Sequence, residues 1–139
     1  MTEPPNLAAF PFVVEEKIRF SDTDRQKHVN NVLFAVFLEA GRVAILHGEA
    51  ELARPDSFFV IARSSIDFLR PLQWPGNVSI GTRIERLGTS SVTMAQGLFQ
   101  DGQCAAISTS VLVHVDAESG RALPLTDIAR QVFSSKPGS

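Results

Sequence analysis

From Val32 to Leu46 the chain reads VLFAVFLEAGRVAIL, a run whose apolar side chains go almost all the way round a helix, relieved only near Glu39, Gly41 and Arg42. A surface helix keeps a polar face for water, so one with almost none predicts burial on every side. One flat sheet covers only one side of a helix. The run therefore calls for a sheet that curls around it and for a second copy of the chain over what is left exposed. The stretch just ahead, RFSDTDRQKHVNN, is polar. Burying the helix carries its N-terminus inward, with its unpaired N–H groups and positive dipole end, beside Asp24, His28, Asn30 and Asn31. A polar helix start enclosed in this way is where chemistry is expected.

The remainder supplies the sheet. Phe12 to Phe20 reads as a first strand, and the helix is expected to end near His47, with Gly48 as its C-cap. From Phe58 the pattern turns to period two: Phe58, Val60, Ala62, Ser64, Ile66 and Phe68 on one face, and Phe59, Ile61, Arg63, Ser65, Asp67 and Leu69 on the other. Pro71, Pro75 and Gly76 end that strand. Asn77–Leu87, Ser91–Gln100 and Cys104–Asp116 follow, separated by Gly88-Thr89-Ser90 and by the hairpin signal Asp101-Gly102. A short helix from about Asp127 to Phe133, capped by Thr126, precedes a tail over about 134–139 that reads as flexible. The order strand, helix, four strands with short connections predicts a single α+β domain spanning 1–139, an antiparallel sheet wrapped around one long central helix.

Composition narrows the function. The 139 residues, 44% hydrophobic, suit one ordinary core. A net charge of -2 without a basic block argues against a nucleic-acid or anionic-membrane surface. No stretch approaches the roughly 18 uninterrupted apolar residues of a membrane span. The opening MTEPPNLAAFPF places an acid and prolines where a secretory signal carries basic and apolar residues, which predicts a cytoplasmic protein. The 1 cysteine, Cys104, lies in an apolar stretch and reads as a buried, inert thiol. Tyrosine is absent, which removes phenolic acid–base chemistry. His47 and His114 lack metal-ligand spacing with a carboxylate or with Cys104, so neither a metal nor a resident cofactor is expected.

RFSDTDRQKHVNNVLFAVFLEAGR, together with IDFLRPL, Gly88 to Ser91 and VLVHVD, resembles the hotdog-fold acyl-CoA thioesterases of the 4-hydroxybenzoyl-CoA thioesterase type. The resemblance covers most of the chain. It implies a hotdog fold and hydrolysis of an acyl-CoA substrate, while the all-apolar helix is what predicts a homodimer or homotetramer. Residue by residue, it puts the chemistry on Asp24, the second aspartate of the Asp-x-Asp turn, with Asp22 in support. The backbone N–H of Asn31 becomes the oxyanion donor. Many relatives carry glycine where this chain has Lys27, at a position where glycine adopts backbone angles that lysine reaches only with strain.

The chemistry itself is undemanding. A thiol of pKa about 8.5 leaves with little acid assistance, so a base or nucleophile and an oxyanion donor suffice. Asp24 reads either as general base on water or as nucleophile forming a mixed anhydride. His28 reads as a support that orients the turn or a water, or as a histidine satisfying loop carbonyls. Asn30 reads as helix cap or as substrate contact. Asp22 reads as a turn residue, and Glu39 with Arg42 as an internal ion pair. Arg63, Arg83 and Arg86, with Ser90 and Ser91, are the groups available for the phosphates of coenzyme A, although strand arginines also make an ordinary solvated face. Three other functions stand beside this one. A hotdog hydratase would need an Asp-x-Asn-Pro-x-His loop that the chain lacks; an acyl carrier protein could replace coenzyme A as carrier; a non-catalytic module could bind acyl thioesters without cleaving them.

Overall fold

β-branched and aromatic residues at alternating positions build five strands, and a computed structural model describing residues 4–135 shows how they pair. The elements are β1 (Phe12–Ile18), α1 (Asn31–Leu46), β2 (Ser57–Phe68), β3 (Gly76–Leu87), β4 (Ser91–Gln100), β5 (Gln103–Asp116) and α2 (Asp127–Ser134). The strands form one antiparallel sheet in the order β1-β3-β4-β5-β2. Register shifts between Ile61 and Arg63, between Ile84 and Arg86, and between Leu98 and Phe99 interrupt three of the ladders. Irregularities of this kind bend strands and increase their twist, and the sheet curls over α1. This is the expected hotdog arrangement.

The shift at Ala62 also corrects the face assignment in β2. Phe59 lies opposite His114, but Ser64 and Ile66 lie opposite Ser110 and Ser108, so the helix-facing set changes parity from odd to even. Phe59 stacks on His114 at 5.2 Å, while Phe68, past the shift, packs on Phe34 of α1 at 5.1 Å. Phe34 and Leu38, each 1% exposed, seat α1 on Ile18, Val78, Ile80, Leu98 and Ala106. Toward its C-terminus, Ile45 and Leu46 join Leu52, Val92, Met94 and Leu112.

α1 is not buried all round within the protomer. Val32 is 72% exposed, with Val36 and Val43 also open and Glu39 on the exposed side. The sheet covers one side of the helix, and no other described element reaches across the opposite side. The expected Glu39–Arg42 ion pair does not form. Arg42 is buried and donates to Gln96 Oε1 at 3.1 Å, while Gln96 Nε2 donates to Leu38 O and Thr82 Oγ1. Burial lowers the Arg42 pKa, and the nearby charge of Glu39 offsets part of that.

Other boundaries move slightly. β1 stops at Ile18 because Phe20–Asp22 winds into a 3-10 turn, tied by the Asp22 carboxylate to the Arg19 N–H at 2.8 Å and to its guanidinium. α1 is closed by His47, and Gly48 is not left-handed; it is small because a Cβ there would meet Ala44 O at 2.5 Å. α2 begins at its Thr126 cap as expected but continues to Ser134, so the supposed tail starts inside a helix, and residues 136–139 lie outside the described part.

Candidate active site

The segment leading into α1 is a small hairpin. Thr23 and Val29 form a bridge, the Asp24 N–H donates to His28 O at 2.9 Å, and Lys27 N–H returns to Asp24 O at 3.0 Å. Asp24 Oδ1 accepts the N–H groups of Gln26 at 2.8 Å and His28 at 3.2 Å. One carboxylate oxygen thus shapes the loop, and Oδ2 has no hydrogen-bond partner among the described residues. Asp24 itself is exposed.

Asp22 plays a different part. It is 4% exposed and bound by Arg19, and its carbonyl accepts Asn30 N–H at 3.0 Å. Burial by itself would raise its carboxyl pKa, but the Arg19 guanidinium and N–H outweigh burial and hold it below the usual range. Asp22 is a buried brace within its turn, not an open carboxylate.

Lys27 occupies the left-handed region, with φ 63°. Single residues there cost of order 1 kcal/mol when they carry a Cβ. Lys27→Gly should therefore raise stability by roughly 1 kcal/mol, less glycine's added freedom in the unfolded chain. Thermal melts of the two proteins check this, and a lower melting temperature for the glycine variant would contradict it.

Asn30 is the helix cap: its Oδ1 accepts Val32 N–H at 3.1 Å and its carbonyl accepts Leu33 N–H at 2.9 Å. The N–H just ahead of these two, that of Asn31, has no acceptor among the described residues. The first turn of α1 contains no acidic side chain, so nothing within it neutralises the positive end of the dipole. The chain therefore carries a free N–H at a helix start, directly after a hairpin bearing a half-free carboxylate.

The far limb of the hairpin is held by the segment after β2. Val29 N–H donates to Leu72 O at 2.7 Å, Trp74 N–H donates to Lys27 O at 3.1 Å, and Phe20 packs on Trp74 at 5.0 Å. The His28 ring lies 3.4 Å from Gln73 Nε2. Gln73 is clamped in turn by Gln100, whose Oε1 accepts Gln73 N–H at 2.9 Å and whose Nε2 donates to Gln73 O at 2.7 Å. Gln73 and Gln100 had no signal in the sequence. A glutamine at a strand end and another in a turn become partners only once β4 lies beside that turn.

The residues expected to hold coenzyme A do not gather at Asp24 in one protomer. Arg63 is on the outer face of β2, opposite Val111. Arg86 pairs with Thr93 near the far end of β3, and Ser90 and Ser91 belong to the β3–β4 turn, where Gly88 N–H donates to Ser91 O. That turn is the length of β4 away from Gln100, roughly 30 Å. Arg83 is engaged by Glu85 at 2.8 Å and lies over the Phe10 ring. Among the described residues, no cluster of three or more His, Cys, Asp or Glu could hold a metal ion, and no helix is long and apolar enough to cross a membrane.

Residues 18–133 match the thioesterase-like superfamily. The chain belongs to that family. Among solved structures, this thioesterase-like chain is similar to a thioesterase from Thermus thermophilus complexed with coenzyme A and Zn, at 32% identity and TM-score 0.77, covering 91% of this chain and 99% of that one. The PA5185 protein of Pseudomonas aeruginosa PAO1 superposes with TM-score 0.86 at 26% identity, covering 95% of each chain. The uncharacterized protein YsmA of Bacillus subtilis is 28% identical over 127 residues, 90% of this chain and 86% of its own.

Proposed function

We propose that this protein hydrolyses acyl-CoA thioesters, with Asp24 activating water or attacking the carbonyl and Asn31 N–H stabilising the oxyanion. The observation that carries the reading is the Asn31 N–H, which has no acceptor among the described residues and follows directly on the hairpin of Asp24. Family membership supports thioester chemistry, and the coenzyme A held by the Thermus relative supports the carrier. As hydrolysis proceeds, the carbonyl oxygen gains negative charge, which an unpaired N–H at a positive helix end favours. If Asp24 is the base, Oδ2 takes a proton from water as the oxygen attacks. The thiolate then leaves. His28, beside Gln73, supports the loop that holds Asp24, and Asn30 caps the helix that presents Asn31.

The test is release of free thiol from acyl-CoAs with short, long and aromatic acyl groups. Wild type should turn over at least one class. A well-folded protein that cleaves none would remove hydrolysis and leave thioester binding.

The site is proposed to work in a homodimer formed through β2. Among the described strands, β2 pairs only with β5 and leaves its other side free; Phe58, Ile61 and Phe68 on it are 46%, 49% and 50% exposed. A long free edge with apolar side chains invites pairing. Two β2 strands joined about a two-fold axis run antiparallel, so the Phe68 end of one lies beside the partner's Ser57. The Asp24 end of each protomer then meets the far end of the other, the end that carries Arg86, Ser90 and Ser91. Sedimentation should give twice the 15.1 kDa chain; an active monomer would defeat this arrangement.

A further inference from the structure

A polar cavity of about 200 Å³ opens between the segment following β2 and the β4–β5 turn, lined by Arg70, Pro71, Gln73, Gln100, Asp101, Gln103 and Ala105. It adjoins the Asp24 hairpin through a shared residue: the Gln73 side chain meets His28, while its backbone is clamped by Gln100 at the wall of the cavity. Arg70 is exposed and forms no ion pair among the described residues. Its backbone is fixed, since Arg70 N–H donates to Ala105 O at 3.1 Å. Within one protomer the sequence-based candidates offer nothing comparable near the hairpin: Arg83 is paired with Glu85, and Arg63 and Arg86 lie on the outer face or at the far end of the sheet.

We infer that Arg70 is the cation that binds the phosphates of coenzyme A, with the amides of Gln73 and Gln103 beside it. This rests on the acyl-CoA reading above. The pantetheine arm separates the thioester from the phosphates, so their cation belongs one loop away from Asp24, and Arg70 stands three residues before Gln73. A guanidinium offers paired N–H donors that match two phosphate oxygens, which an amide or a lysine matches less well. Asp101 lines the same cavity and opposes an anion. It gives the assignment a second, opposite handle: removing its charge strengthens phosphate binding where removing the Arg70 charge weakens it.

Calorimetric titration with coenzyme A and with pantetheine, which has no phosphate, decides the matter without requiring turnover. Wild type should bind coenzyme A more tightly than pantetheine. Arg70→Gln should weaken coenzyme A by about tenfold or more, the worth of a charge-assisted hydrogen bond, with a much smaller change for pantetheine. Asp101→Asn should tighten coenzyme A. Equal affinity of wild type and Arg70→Gln for coenzyme A overturns the assignment, as does a loss that is equal for both ligands, or wild type that does not bind coenzyme A. A protein that binds coenzyme A through Arg70 yet hydrolyses no acyl-CoA would defeat the hydrolase reading and leave this one standing.

Discussion

Asp24→Asn is expected to lower kcat for acyl-CoA hydrolysis by about 10²–10⁴-fold, the range general-base catalysis supplies. The substitution is informative because of what Asp24 Oδ1 already does. It accepts the N–H groups of Gln26 and His28, and an asparagine oxygen can accept both as well. The hairpin should therefore survive while the charge and the basic oxygen are lost, and thermal melts should show little change beside the fall in thiol release. Asp22→Asn is the contrasting variant. It weakens the brace to Arg19, so its effect should appear in the melting temperature more than in kcat at matched folding. Equal kcat in wild type and Asp24→Asn would remove Asp24 from the chemistry, and a collapse of Asp22→Asn activity in a fully stable protein would move the role to the other carboxylate.

Asn31→Pro should cost about 10²–10³-fold in kcat, the usual loss when one oxyanion donor is removed. Backbone donors are ordinarily beyond the reach of mutagenesis, but this one stands at the first helical position. Proline is favoured there, since its fixed φ suits the helix and its missing N–H breaks no intrahelical bond. Asn30 already holds φ -59° and ψ 134°, the extended conformation a residue before proline prefers. The Asn30 cap to Val32 and Leu33 does not involve the Asn31 N–H, so α1 should start where it does now. Asn31→Ala removes the side chain and keeps the N–H, and it should retain most activity. Loss of activity in both variants would mean that the Asn31 side chain, rather than its backbone, serves the reaction.

Much of this architecture is legible in the chain because its signals are local. The apolar run of α1, the Asn30 and Thr126 caps, the Asp101-Gly102 turn and the period-two strands each depend on residues only a few positions apart. Lys27 is the same kind of case. Its resemblance to a glycine position predicts a strained backbone, and the left-handed angle is there. The all-apolar helix identifies itself as a core element but not which of its sides faces outward: Phe34 and Leu38 are enclosed, Val32 and Val36 open, and nothing in their side chains distinguishes them.

By itself, the sequence determined the element order, the Asn30 and Thr126 N-caps and the polar turn that bears Asp24, since hydrogen bonds within four residues and hydrophobic periodicity decide such features. The tertiary structure decided the rest. Ala62 reverses the faces of β2 because its partner strand β5 has no residue opposite it, a mismatch that exists only between strands. Arg42 turned from Glu39 to Gln96, and Gln100 met Gln73, across 54 and 27 positions of sequence. Buried polar groups take whatever partner the packed fold sets within hydrogen-bonding distance, and that partner is chosen by the topology of the sheet rather than by neighbours along the chain.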